Sequence, residues 1–158
     1  MIRQIQNSRS NKRSNERKGA AAAEFAMLLP VLVLLTFGAI DSGQFVNVSQ
    51  IVNEASREGA RLASRSDTTD VETIESAVES YIADAFPGET AAAIAAAVTV
   101  NVGDTYGIGI PGKDLSGVES GTPVTVSVVL EYDAVRWLRY LPGFHAVSIE
   151  TATVMRRE

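Results

Sequence analysis

At 158 residues the chain has room for one modest domain and an anchor. It has no cysteine and a single histidine, His145, which excludes disulfide frameworks, thiol nucleophiles, Cys-based zinc sites and multi-histidine metal sites. The net charge of −5 hides an asymmetry: Arg3, Arg9, Lys12, Arg13, Arg17 and Lys18 face one acid, Glu16, before Gly19, whereas the remainder holds 8 basic and 18 acidic residues. The flank is therefore +5 and the remainder −10. A basic flank directly before an apolar run holds the N-terminus in the cytoplasm and sends the rest across the membrane. Nucleic acid is not an expected partner, because the flank lacks aromatics and an acidic remainder repels phosphate.

Residues 1–18 are rich in Ser, Asn, Gln and Arg, have no apolar period, and read as disordered. The character changes at Gly19: Ala20 to Ala23, then Glu24, then Phe25 to Ile40 without a charge. Phe25–Ile40 is about 24 Å as a helix, short for a hydrocarbon core of about 30 Å. A span starting at Ala20 reaches about 31 Å and places Glu24 at or just inside the membrane boundary. Pro30 removes a backbone donor within this span and is expected to kink it. Beyond Ile40, Phe45, Val48, Val52, Ala55, Gly59 and Leu62 recur at three- or four-residue spacing, which extends one helix to about Ser64.

Val71–Phe86 carries Val71, Ile74, Val78, Tyr81, Ile82 and Ala85 on one face, with a cap among residues 67–70 and a stop at Pro87-Gly88. Glu89–Ala97 reads as a short helix and Val98–Val102 as a strand. Residues 103–121 hold six glycines and read as loop. Pro123–Tyr132 is a strand with Val124, Val126, Val128 and Leu130 on one face. Ala134–Gly143, with Trp137, reads as a turn or short helix, and Phe144–Arg156 as a last strand. The expected domains are a leader at 1–19, a long helix at 20–65 whose span covers about 20–40, and an extracytoplasmic domain at 66–158.

The junction Lys18-Gly19-Ala20-Ala21-Ala22-Ala23-Glu24-Phe25 is the most informative stretch. A carboxylate within a membrane span costs about 2.5–3.5 kcal/mol at the helix centre and less near the interface, so Glu24 invites a partner. A cut after Gly19 would create one, the α-amine of Ala20. That amine and Glu24 are about 6 Å apart along one helix, and on neighbouring helices shifted by a turn they could meet directly. The plainer reading is an interfacial acid that snorkels to water.

This arrangement resembles the processing site of type IV prepilins. It is most similar to the TadE-like family of minor pseudopilins of the tight-adherence (Flp) pilus. The resembling residues run from Arg17-Lys18-Gly19 through Glu24-Phe25-Ala26, then Leu29-Pro30-Val31-Leu32, Phe37-Gly38 and Asn53-Glu54-Ala55-Ser56-Arg57-Glu58-Gly59-Ala60-Arg61, with Ala152–Glu158 similar to the family's ending. At Asp41 the family often shows Glu followed by a bulky residue; here Asp41-Ser42-Gly43 keeps the acid but is smaller. The resemblance implies cleavage between Gly19 and Ala20 by a prepilin peptidase, with Phe25 beside Glu24 at the start of the mature helix. It implies partners among other pilins or pseudopilins and the pilus assembly platform, with a role in assembly and surface adherence. The implied fold is α+β: a long pilin-like transmembrane helix with a small antiparallel sheet and one or two short helices on its outer half. The alternative is an uncleaved single-pass membrane protein with an outer binding domain. A secreted protein with a cleaved signal is disfavoured, since no small-x-small site follows the apolar run.

Two small-residue pairs, Gly38 with Ser42 and Ala39 with Gly43, favour contact with another subunit, whereas Ala55, Gly59 and Ala63 favour packing on this chain's own sheet. Glu54, Arg57, Glu58, Arg61 and Arg65 read as a solvated helix face. Gly107–Asp114 is a near miss to a phosphate-binding loop, with Asp114 where Ser or Thr should bind magnesium. Asp104, Asp114 and Glu119 lack regular calcium-loop spacing. No residue pattern supports bond-making chemistry, and neither an enzyme nor a cofactor is expected.

Overall fold

The structure is a computed structural model and describes residues 2–104, 106–110, 113–136 and 147–158, with side chains at 2–18 and 20 outside the description. The chain divides into two units, Met1–Ser42 and Gly43–Glu158. Helix α1, Ile2–Ser64, contributes to both.

Within the first unit the helix begins at Ile2 rather than near Ala20. Residues 2–18 contain neither Pro nor Gly. Arg, Lys, Gln and Glu are good helix formers, and extending an existing helix avoids the cost of nucleation. The helix also runs without interruption through Pro30. Apolar side chains stand exposed along it, among them Phe25, Met27, Leu28, Val31, Leu34, Leu35 and Ile40. The hydroxyls of Thr36 and Ser42 donate back to the carbonyls of Leu32 (2.8 Å) and Gly38 (2.9 Å), which satisfies them without water.

The second unit is built on a sheet with the order β1-β2-β3: β1 is Val98–Gly103, β2 Pro123–Glu131 and β3 Ser148–Arg156. Both pairings are antiparallel, with Val98 opposite Leu130 and Val126 opposite both Val102 and Thr153. One face is buried by Val124, Val126, Val128 and Leu130 of β2 together with Val98, Val102 and Ile149. The other face presents Thr99, Asn101, Glu150, Ala152 and Val154 to solvent, as expected of an antiparallel sheet covered on one side.

Among the described residues two α-helices follow α1. Helix α2, Val71–Ala85, starts where the Asp70 carboxylate accepts from the Glu72 amide at 3.0 Å, and it buries Val71, Ile74, Val78 and Ile82 at helical spacing. Helix α3, Ala91–Ala97, starts at Thr90, whose hydroxyl oxygen accepts from the Ala93 amide at 3.2 Å. Both lie within the segments expected to be helical. β3 begins at Ser148; residues 137–146, including Trp137 and His145, lie outside the described residues.

The stripe Ala55, Gly59 and Ala63 packs inward, as expected. A Cβ on Gly59 would lie 2.7 Å from Val78 Cγ2 and 3.1 Å from Val126 Cγ1, so the absence of a side chain here lets α1 pack closely on α2 and β2. Ser56, fully buried beside it, lies 3.1 Å from the Val126 carbonyl and 2.8 Å from the Thr153 hydroxyl.

At the far end of α1 the Arg157 guanidinium, 6% exposed, donates to the carbonyls of Ala63 (3.3 Å) and Thr68 (3.1 Å). The Glu158 amide donates to Ser64 at 2.7 Å. A cation on the last carbonyls of a helix satisfies orphan acceptors and complements the helix dipole. Arg157→Met keeps the length of the side chain but leaves buried carbonyls without donors. The expected loss is about 1.5–3 kcal/mol, read as a lower thermal midpoint of the second unit in detergent. A midpoint equal to wild type would show that Arg157 does not hold the helix end.

Candidate processing and anchoring segment

Gly19, Ala20, Glu24 and Phe25 all fall on α1, so helical geometry sets their spacing. Gly19 is exposed, and a Cβ added there meets nothing within 4 Å. Its smallness therefore answers no packing demand among the described residues. Glu24 and Phe25 are also exposed, the latter by 58%. The position of Ala20 one helical turn before Glu24 sets an axial offset of about 6 Å.

Farther along, Pro30, Gly38 and Ser42 follow on the apolar helix. Gly38 and Ser42 lie one turn apart, joined by the Ser42 hydroxyl on the Gly38 carbonyl. Added Cβ atoms on Gly38 and, in the second unit, on Gly43 meet nothing within 4 Å. These positions are open to a neighbour. Ala21–Ser64 is long and apolar enough to cross a membrane by length and composition.

The charged face of α1 in the second unit forms short-range pairs: Arg57 with Glu54 at 3.3 Å, and Arg61 with Glu58. Hydrogen bonding to the Arg61 guanidinium holds the Glu58 carboxyl below its ordinary range. Arg65, just past the helix end, pairs with Asp67 at 2.7 Å. These groups are solvated and contribute little to stability.

The glycine-rich loop departs from a phosphate cradle. Lys113 Nζ is bound by the Glu75 carboxylate at 2.7 Å, and the Asp114 carboxylate accepts from the Ser116 amide at 2.8 Å. The Asp104 carboxylate accepts from the amides of Tyr106 and Ile108. Among the described residues no group of three or more His, Cys, Asp or Glu is placed to hold a metal ion.

The family model for TadE-like protein matches residues 19–61. This segment is TadE-like. The TadE-like match opens on Gly19 and covers the apolar helix and the inward stripe as far as Arg61, while Ala152–Glu158 lies beyond it. No curated protein and no solved structure matches the chain. The TadE-like family implies a protein associated with the tight-adherence pilus, and its pilus proteins are structural. The exposed N-terminal apolar helix fits a single-pass membrane protein of that system. Two residues escaped the sequence reading: Ser56, a polar residue in an apolar stripe, and Arg157, whose place on a helix end depends on tertiary pairing.

Proposed function

We propose that the chain is a minor pseudopilin of a tight-adherence type IV pilus, cleaved after Gly19 by a prepilin peptidase and retained by its apolar helix in the cytoplasmic membrane. Residues 1–19 are the leader, the helix from Ala20 anchors the subunit and packs with other pilin helices, and the outer domain faces away from the cytoplasm. It acts in pilus assembly and surface adherence, contacts other pilins and the assembly platform, and performs no catalysis. The observation that carries this reading is that the TadE-like match begins at an exposed glycine five residues before an exposed carboxylate, just ahead of the stretch of α1 whose apolar side chains are uncovered.

Intact mass of the chain purified from its host membrane tests the cleavage: an N-terminus at Ala20 is expected. A chain retaining residues 1–19 would favour the uncleaved single-pass reading, which the unbroken helix through Gly19 also accommodates.

Orientation is a separate expectation. The +5 flank against the −10 remainder places the N-terminus in the cytoplasm and the C-terminus outside. A reporter active only outside the cytoplasm, fused after Glu158, is expected to be active. Activity of a cytoplasm-only reporter at the same site would overturn the assignment.

A further inference from the structure

Gly19 has neither of the usual structural reasons for a glycine. A Cβ added there meets nothing within 4 Å, so no close approach demands it. Among the described residues the positive-φ glycines are Gly107 and Gly121, so Gly19 takes no left-handed backbone. It is an ordinary helical position inside α1, which runs unbroken over Ile2–Ser64. What glycine brings to such a position is weakness. Only proline is a poorer helix former, and glycine falls below alanine because it keeps more backbone freedom when the helix opens. The neighbours sharpen the contrast. Gly19 is the only glycine from Ile2 to Phe37, and Ala20 to Ala23 directly after it are the best helix formers.

A helix shields the bond at this point from hydrolysis. In an α-helix each amide donates to the carbonyl four residues back, so the Ala20 amide is held by Glu16 and the Gly19 carbonyl by Ala23. Both polar groups of the Gly19–Ala20 peptide are engaged for as long as the helix persists. Hydrolysis adds water across that bond and leaves a carboxylate on Gly19 and an ammonium on Ala20. The carbonyl therefore has to be released first, by local opening, and cleavage then follows the population of the open form. Opening is least costly where a glycine interrupts the helix and water can take up the freed groups. Gly19 meets both conditions, with Lys18 beside it and the apolar run still ahead. Gly38 lies inside the apolar run, where hydrocarbon offers a freed backbone no partner.

We infer that Gly19 determines the cleavage site by letting α1 open at the Gly19–Ala20 bond, so that helix stability, and not side-chain size alone, governs the rate. The role rests on the chain being cut there, as proposed above. The rival is a peptidase pocket that rejects any side chain at position 19.

The two are separated by a compensating change away from the bond. In host membranes, with the N-terminus read by mass during a pulse-chase, Gly19→Ala is expected to be cut about fivefold more slowly, the population factor that follows from the propensity difference. Gly19→Ala combined with Ala22→Gly restores a weak point without restoring the hydrogen at position 19. It is expected to regain a rate within about twofold of the parent chain. Amide exchange at Ala20 and Ala23 gives a readout without the peptidase. Measured on the uncut full chain in nanodiscs, it is expected to slow in Gly19→Ala and to recover in the double variant by similar factors. A Gly19→Ala chain cut at the parental rate, a double variant cut no faster than Gly19→Ala, or exchange unmoved by either change would each overturn the role of helix opening while the parent chain is still cut. A parent chain that retains residues 1–19 would overturn cleavage itself, and this role with it.

Discussion

Glu24→Gln is expected to be cut after Gly19 as completely as the parent chain and yet to lose its association with neighbouring pilin helices. Glutamine keeps the shape of the side chain and removes the charge, so insertion becomes no harder. The small-residue stretch from Gly19 to Ala23, where the peptidase would act, is untouched. What changes is the fate of the neighbour's Ala20 ammonium, which then lies near hydrocarbon without a carboxylate. Leaving one member of a desolvated pair alone is far costlier than removing both. Crosslinking between Ala22→Cys in one subunit and Ala26→Cys in another measures the association directly, in a chain that has no cysteine of its own. A fall of about tenfold or more is expected, corresponding to about 1.4 kcal/mol or more of lost pairing. Gly19→Leu has the converse phenotype: the chain inserts but retains residues 1–19. Undiminished crosslinking in Glu24→Gln would leave Glu24 as an acid that simply reaches for water.

The second large effect lies at Gly59. Helix α1 approaches α2 and β2 so closely there that the first side-chain atom is already in contact, 2.7 Å from Val78 Cγ2. Gly59→Ala gains about 1 kcal/mol of helix propensity and loses about 1–3 kcal/mol to overpacking, for a small net destabilisation. Gly59→Leu has no such offset. It is expected to destabilise the second unit by about 3 kcal/mol or more, visible as loss of cooperative melting or as proteolysis. The partner is specific, so Val78→Ala in the Gly59→Ala background should recover stability relative to the sum of the single changes. Strict additivity would show that the two residues do not compete for the same space.

Much of this architecture was legible because it rests on local rules. The inward face of α2 shows in the spacing of Val71, Ile74, Val78 and Ile82, and Asp70 caps it through its own carboxylate. The inward face of β2 shows in Val124, Val126, Val128 and Leu130, although Thr125 between them is buried as well. The exposed apolar helix is visible as an uncharged run, and the glycine-to-glutamate spacing needs no tertiary information. Helix propagation through residues 2–18 was missed because apolar period was the signal sought, and that segment has none; propensity and continuity with a long helix supply what period does not. The fold-back of the loop at Gly103 was hidden for a different reason. Gly103 reads as one of several loop glycines, and only its pairing with Thr125 of β2 shows that it ends a strand, while the bridge to Gly109 marks the fold-back. Arg157 looks like a solvated arginine near a chain end until β3 is set beside α1.

That last pairing has a temporal meaning. The outer half of α1 emerges early with Val48, Val52, Ala55 and Ala60 facing inward, but Thr151, Thr153 and Arg157, which meet Asn53, Ser56 and Ala63, come almost a hundred residues later. Contacts so distant in sequence form slowly, since a long loop must close before any of them is rewarded. On the proposed topology the helix therefore waits during export with an uncovered apolar stripe, far ahead of the strand that completes its cover. Any factor that meets this protein in transit meets that stripe, and the arrival of β3 and Arg157 withdraws it.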